Sequence, residues 1–139
     1  SLLAIAAAAA ALASTPALAQ PAIVTMQLDS AVTLLTAEGY TPADEAVMGR
    51  LAEGAEEEFE LDLQRGVHYA IIGFCDGDCT DLDLALSDGD GEEVDSDYAT
   101  DDYPVLEFDN ERTGTFVLSV QMATCSSRQC HYGVRVFRR

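Results

Sequence analysis

The residues of this chain whose types and spacing could do chemistry lie between Cys75 and Asp102, where 12 of 28 residues are Asp or Glu. Asp76, Asp78, Asp81 and Asp83 form D-x-D-x-x-D-x-D, and Asp97, Asp101 and Asp102 follow. On a strand, residues two apart share a face at about 7 Å, so Asp81 and Asp83 can border one hard-cation site. Calcium suits that chemistry, because it takes six to eight oxygens and its weak extracellular sites bind at about millimolar. The expected ligands are Asp76, Asp78, Asp81 and Asp83 with loop oxygens, joined by Asp97 and Asp101 where the intervening connection folds back. An EF-hand is excluded, because in the run from Asp88 to Glu93 a Glu stands at the sixth position, which needs Gly. The plainer alternative is a solvated acidic face with ions only in its diffuse atmosphere. Tyr98 and Tyr103 interleave the carboxylates, which suits sugar stacking or docking of a basic peptide. They are the candidate contacts to a protein or polysaccharide partner, against ordinary strand-edge tyrosines.

Catalysis is not expected. The chain has no G-x-S-x-G elbow, no H-E-x-x-H and no glycine-rich phosphate loop. A small secreted hydrolase working through paired carboxylates is the alternative, but with 25 Asp and Glu in the chain, two neighbouring carboxylates carry little information. His68, in the apolar run VHYAIIGF, reads as a packed or rim histidine, and His131 as a surface one. Ser126 and Ser127 have no base partner visible in sequence.

Four cysteines stand as Cys75-x3-Cys79 and Cys125-x4-Cys130. In an exported chain an even count points to disulfides; a four-thiolate zinc site is the rival. The local pairings, 75 with 79 and 125 with 130, are favoured, each contributing about 2 kcal/mol in the loop-entropy model. The cross-pairings stay open.

The formal charge is −18, and all seven basic residues are arginine. Such a surface repels polyphosphate and anionic membrane, which excludes nucleic acid as a partner. Divalent cations, basic proteins and saline surroundings remain compatible. A monomer is expected, with one salt-sensitive route to head-to-tail association: Arg135, Arg138 and Arg139 against the acidic face of a second copy.

The elements that must position these residues follow from periodicity. Leu2 to Ala13 is apolar, and Ala17-Leu18-Ala19 precedes Gln20. This predicts a signal peptide over residues 1–19 and export to the periplasm or beyond; 12 apolar residues fall short of the roughly 20 that span a bilayer. No membrane span is then expected after cleavage. Leu28, Ala31, Val32 and Leu35 recur at helical spacing over residues 22–38, with Gly39 as the stop, so residues 20–45 form an N-terminal helical segment. Thr41 to Asp44 looks like a helix start, whereas Val47 to Leu51 could begin a strand. From residue 56 the period becomes two: EEEFELDL, VHYAIIGF, DLDLALS, YPVLEFD, GTFVLSVQM and HYGVRVF. Strands of this length joined by turn-rich connections predict an antiparallel β-sandwich over residues 46–139. The predicted class is mainly β, with one amphipathic helix.

The order AEGAEEEFELDLQRGVHYAIIGFC, DLDLALSDGDGEEVDSD, DDYPVLEFDN, GTFVLSVQM and YGVRVF resembles the bacterial pre-peptidase C-terminal domain family over about residues 50–139. The resemblance implies a jelly-roll-like sandwich, usually non-catalytic and appended to secreted hydrolases, with relatives that bind calcium or a polymeric substrate. A stand-alone secreted member is expected, and the cysteine pairs are not part of the general family pattern.

Overall fold

The computed structural model describes residues 19–139. The leader read over residues 1–19 lies, but for Ala19, outside the described residues. Helix α1 spans Gln20–Ala37. Pro21 sits in its first turn, where the missing N–H costs nothing. Gly39, at φ 92°, ends it with the Tyr40 N–H on the Leu35 carbonyl and its own N–H on the Thr36 carbonyl.

Nine strands follow: β1 Thr41–Pro42, β2 Val47–Leu51, β3 Glu56–Leu63, β4 His68–Cys75, β5 Cys79–Ser87, β6 Glu93–Asp97, β7 Val105–Asp109, β8 Gly114–Cys125 and β9 Cys130–Arg138. One sheet runs β1-β9-β4-β7, with β2 also on β9, and the other β3-β8-β5-β6. Every pairing is antiparallel. The sandwich is therefore mainly β, as its alternation predicts. Residues 41–51, ambiguous in sequence, are strand and not helix: they form a broken edge along β9. The core lies between the sheets, where Leu82, Leu84 and Leu86 of β5 meet Ile71, Leu106, Tyr132 and Val134.

α1 covers the outside of the first sheet. Ala31 packs with Ala70 and Phe137, and Val32, Leu35, Ile72 and Phe74 surround them. The approach is close because β9 carries Gly133: a Cβ there would stand 2.7 Å from Leu28 Cδ1 and 2.8 Å from both Val24 Cγ1 and Met48 Sδ. No helix among the described residues is long and apolar enough to cross a membrane.

β6 is not predicted by periodicity: its residues fall in the acidic stretch, with Asp97 expected as a cation ligand. EVDSD has no apolar face, yet it pairs with β5 from Leu84 against Asp97 to Ser87 against Glu93. Its side chains also reach the other sheet. Asp97 Oδ2 accepts the Val105 N–H at 2.9 Å and Asp95 Oδ2 accepts the Glu107 N–H at 3.2 Å. The open edge of β7 is closed by carboxylates, a device that blocks edge-to-edge pairing.

Candidate functional site

Disulfides Cys75–Cys79 and Cys125–Cys130 lie side by side, because Cys79 and Cys125 are cross-strand neighbours. Two of the six expected cation ligands tie these loops together. Asp76, 2% exposed, accepts the Asp78 N–H at 3.0 Å through Oδ1 and the His131 N–H at 2.6 Å through Oδ2. His131 Nδ1 lies 3.3 Å from the same Oδ2. Asp78 accepts the Ser127 hydroxyl at 2.7 Å, and its carbonyl accepts the Ser126 N–H at 2.9 Å.

Asp97 and Asp101 shape turns. Asp97 Oδ1 accepts the Ala99 N–H at 3.1 Å, while its other oxygen holds Val105. Asp101 Oδ1 accepts the Tyr103 N–H at 3.1 Å. Asp88 does the same work at the next turn: it accepts the Asp90 and Glu92 N–H groups and pairs with Arg112. Burial opposes ionisation of Asp88, but those amides and the guanidinium outweigh it and hold its carboxyl below the ordinary range.

Asp81 and Asp83 differ from these. Oδ1 of each is buried with no partner. Asp83 is 8% exposed, and its burial, followed by the carboxylates of Asp81, Asp97 and Asp101, pushes it up to about 6. Strand alternation predicts a solvated Asp83, but Leu84, Tyr98 and Gln121 close around it. Among the described residues, no three His, Cys, Asp or Glu side chains group as a metal site. The six-carboxylate set therefore does not assemble around one centre, because four of its members are engaged by backbone or hydroxyl donors.

The two candidate tyrosines also separate. Tyr98, 58% exposed, donates to Glu93 Oε1 at 2.9 Å beside Asp83. Tyr103, 57% exposed, borders the opposite sheet.

Sequence reasoning missed a cluster around His68. Its Nδ1 lies 2.7 Å from Asp109 Oδ1, and its Nε2 lies 2.9 Å from Glu107 Oε1 and 3.0 Å from the Tyr40 hydroxyl. The register places His68 opposite Asp109. Tyr40 donates to Glu107 at 2.9 Å, beneath the Arg139 guanidinium at 4.5 Å. Hydrogen bonds to Asp109 and then Glu107 raise the His68 pKa, and His68 followed by Tyr40 lowers that of Glu107. Tyr40 is only 4% exposed, so its hydroxyl is closed to a substrate. The arrangement can hold a proton and tie the end of α1 to β4 and β7. Only a joint reading of strand register and helix terminus would have found it.

Neither a family model nor a curated protein matches the chain. A solved structure is similar: Aeromonas hydrophila PliG, a periplasmic lysozyme inhibitor of g-type lysozyme. The two share 13% identity with a TM-score of 0.50, over 68% of this chain and 85% of that one. The likeness is one of fold.

Proposed function

We propose that this chain is a non-catalytic exported β-sandwich that binds a cationic protein. The observation that carries the reading is the outer face of the β3-β8-β5-β6 sheet, exposed along β3 and covered only at its Asp83 end by Tyr98. Glu56, Glu58, Glu60 and Asp62 line one edge of it, opposite Gln121, Ser119, Val117 and Thr115, and Ala85 and Ser96 lie beyond them. No basic residue stands among these. Such a face steers a positively charged protein into contact and excludes anionic competitors.

Three further points support the reading. Asp76, Asp78, Asp97 and Asp101 are held in turns and loop ties, and Glu107 and Asp109 in the His68 cluster, so these carboxylates serve the fold. Two disulfides fit an oxidising compartment. The fold neighbour is itself an inhibitor of a protein, which favours a protein partner over a polysaccharide and makes a g-type lysozyme the first one to try. The resemblance of residues 50–139 to pre-peptidase C-terminal domains belongs with this proposal, since it implies a non-catalytic exported sandwich.

Calorimetric titration with a g-type lysozyme, alongside its lytic activity, tests the reading. Saturable binding that weakens with NaCl and lowers lysozyme activity is expected. Absence of binding, or turnover of a glycan by this chain alone, would overturn it.

A second reading, a divalent cation at Asp81 and Asp83, is favoured by their buried, partnerless oxygens. With two carboxylates available, water would supply the remaining ligands, which suits a weak site of about millimolar affinity. Calorimetry with CaCl2 tests it: saturable heat abolished in Asp83→Asn is expected, and heat that never saturates removes the ion.

A further inference from the structure

We propose that the groove between α1 and β7 receives an amphipathic helix of the partner, its apolar stripe flanked by Lys or Arg. This rests on the reading that the partner is a cationic protein. α1 packs on β9 and the near side of β4, and the outer face on the β7 side stays uncovered. The result is a groove of about 450 Å3 with Leu34 and Leu35 on one wall, Ile72 and Phe74 on the floor, and Tyr103 and Val105 on the other wall. Leu34 is 67% exposed, Tyr103 57% and Val105 42%. A shallower hollow at Ile23 and Met26 continues it along α1, sharing Gln27 and Ser30. From Ile23 to Glu38 the track runs roughly 22 Å at about 1.5 Å per residue, the length of a four-turn helix.

Two observations select the occupant. Strand addition is closed, because Asp95 and Asp97 already take the outward N–H groups of Glu107 and Val105. A partner must therefore dock by side chains over the face, which is how an amphipathic helix enters a groove. The charge around the groove is mainly acidic, with Arg139, which reaches the Glu38 carbonyl at 3.5 Å, as the cation at that end. Glu38 is its one charged lining residue, at the α1 C-terminus where the helix end adds partial negative charge. Glu107 follows Val105 on the same face of β7, and Asp101 and Asp102 precede Tyr103. A second copy of this chain, at −18, would bring like charge to the groove.

The test is fluorescence anisotropy with three labelled synthetic peptides of about four helical turns: a cationic amphipathic sequence, its scrambled form, and an anionic sequence with the same apolar stripe. The cationic amphipathic peptide is expected to bind saturably, about tenfold more tightly than either control. Leu34→Gln and Val105→Gln are expected to weaken it about tenfold, as loss of a central apolar contact does. Both positions are exposed, so the variants fold, and circular dichroism checks this. Glu58→Gln with Glu60→Gln, on the opposite sheet, serves as the charge control. Absence of peptide binding, equal binding of the scrambled peptide, or indifference to Leu34→Gln would overturn the groove. So would a dimer in sedimentation that Leu34→Gln dissolves, since a second copy would then be the occupant. Failure of g-type lysozyme to bind, with the peptide result intact, would overturn the partner and leave the groove standing.

Discussion

Both sheets present apolar residues inward, but very different residues outward. Outside the first sheet stand Ala70, Ile72, Phe74, Gly133 and Phe137, and a helix lies on them. Outside the second stand Glu56, Glu58, Glu60, Asp62, Ser119 and Ala85, and among the described residues no helix covers them; Tyr98 alone folds over the Asp83 end. A sheet face attracts cover in proportion to the apolar area it would otherwise expose. One helix is too narrow for the first sheet, and the strip it leaves bare is the groove. The acidic face needs no cover, and the role proposed for it is electrostatic reach.

Substitution at matched positions in the two faces breaks or sharpens this contrast most strongly. Gly133→Val drives new atoms into Leu28, Met48 and Val24. A loss of about 2–3 kcal/mol in urea unfolding is expected from overpacking. Ser119→Val, on the bare face, should stay within about 0.5 kcal/mol. Equal costs would mean that the helix is not seated on Gly133.

Within the acidic region, the sign of the effect separates Asp83 from its neighbours. With chelator present at neutral pH, Asp83→Asn should stabilise by about 1 kcal/mol, because a buried, partnerless charge disappears. Asp97→Ala should destabilise by a similar amount, since the N–H groups of Ala99 and Val105 lose their acceptors. Thermal melts of the two variants read the opposition directly; matching signs would contradict it.

The His68 cluster bears on the helix-covered side through pH. His68 faces Glu107 and Asp109 on β7, Tyr40 after α1 and Arg139 at the end of the chain. Its folded pKa is raised, so its contribution is complete below the unfolded value of about 6.5 and disappears as pH rises through the folded one. The Glu107 pKa is lowered, so that contribution is complete above about 4.3 and disappears as pH falls through the folded value. His68→Gln should therefore cost most stability between about pH 4.3 and 6.5 and least in alkali. A cost independent of pH would remove the charged pairing.

The smallest effect belongs to the row of like charges on β3. Glu58→Gln with Glu60→Gln should raise the melting temperature slightly at low salt and not at high NaCl, where repulsion is screened. A gain that persists at high salt would mean that packing is responsible.

Much of the fold was legible because alternation writes the strands directly: EEEFELDL is β3 to the residue, and Leu82, Leu84 and Leu86 do point inward. β6 was not, since EVDSD forms a strand by pairing and by closing the β7 edge, with no apolar periodicity to announce it. The site was legible only in part. Composition showed the carboxylates, but which ones are free depends on backbone donors from distant loops. Asp76 is taken by His131, 55 positions away in sequence, and no local pattern carries that.

Association kinetics with a g-type lysozyme would test the central claim most directly, because steering and holding are assigned to different faces. Replacing Glu56, Glu58 and Glu60 by Gln should slow association about tenfold at low salt and leave dissociation unchanged. Leu34→Gln should leave association unchanged and speed dissociation about tenfold. Absence of binding, or both sets of substitutions acting on the same rate, would contradict the division of labour between the two faces.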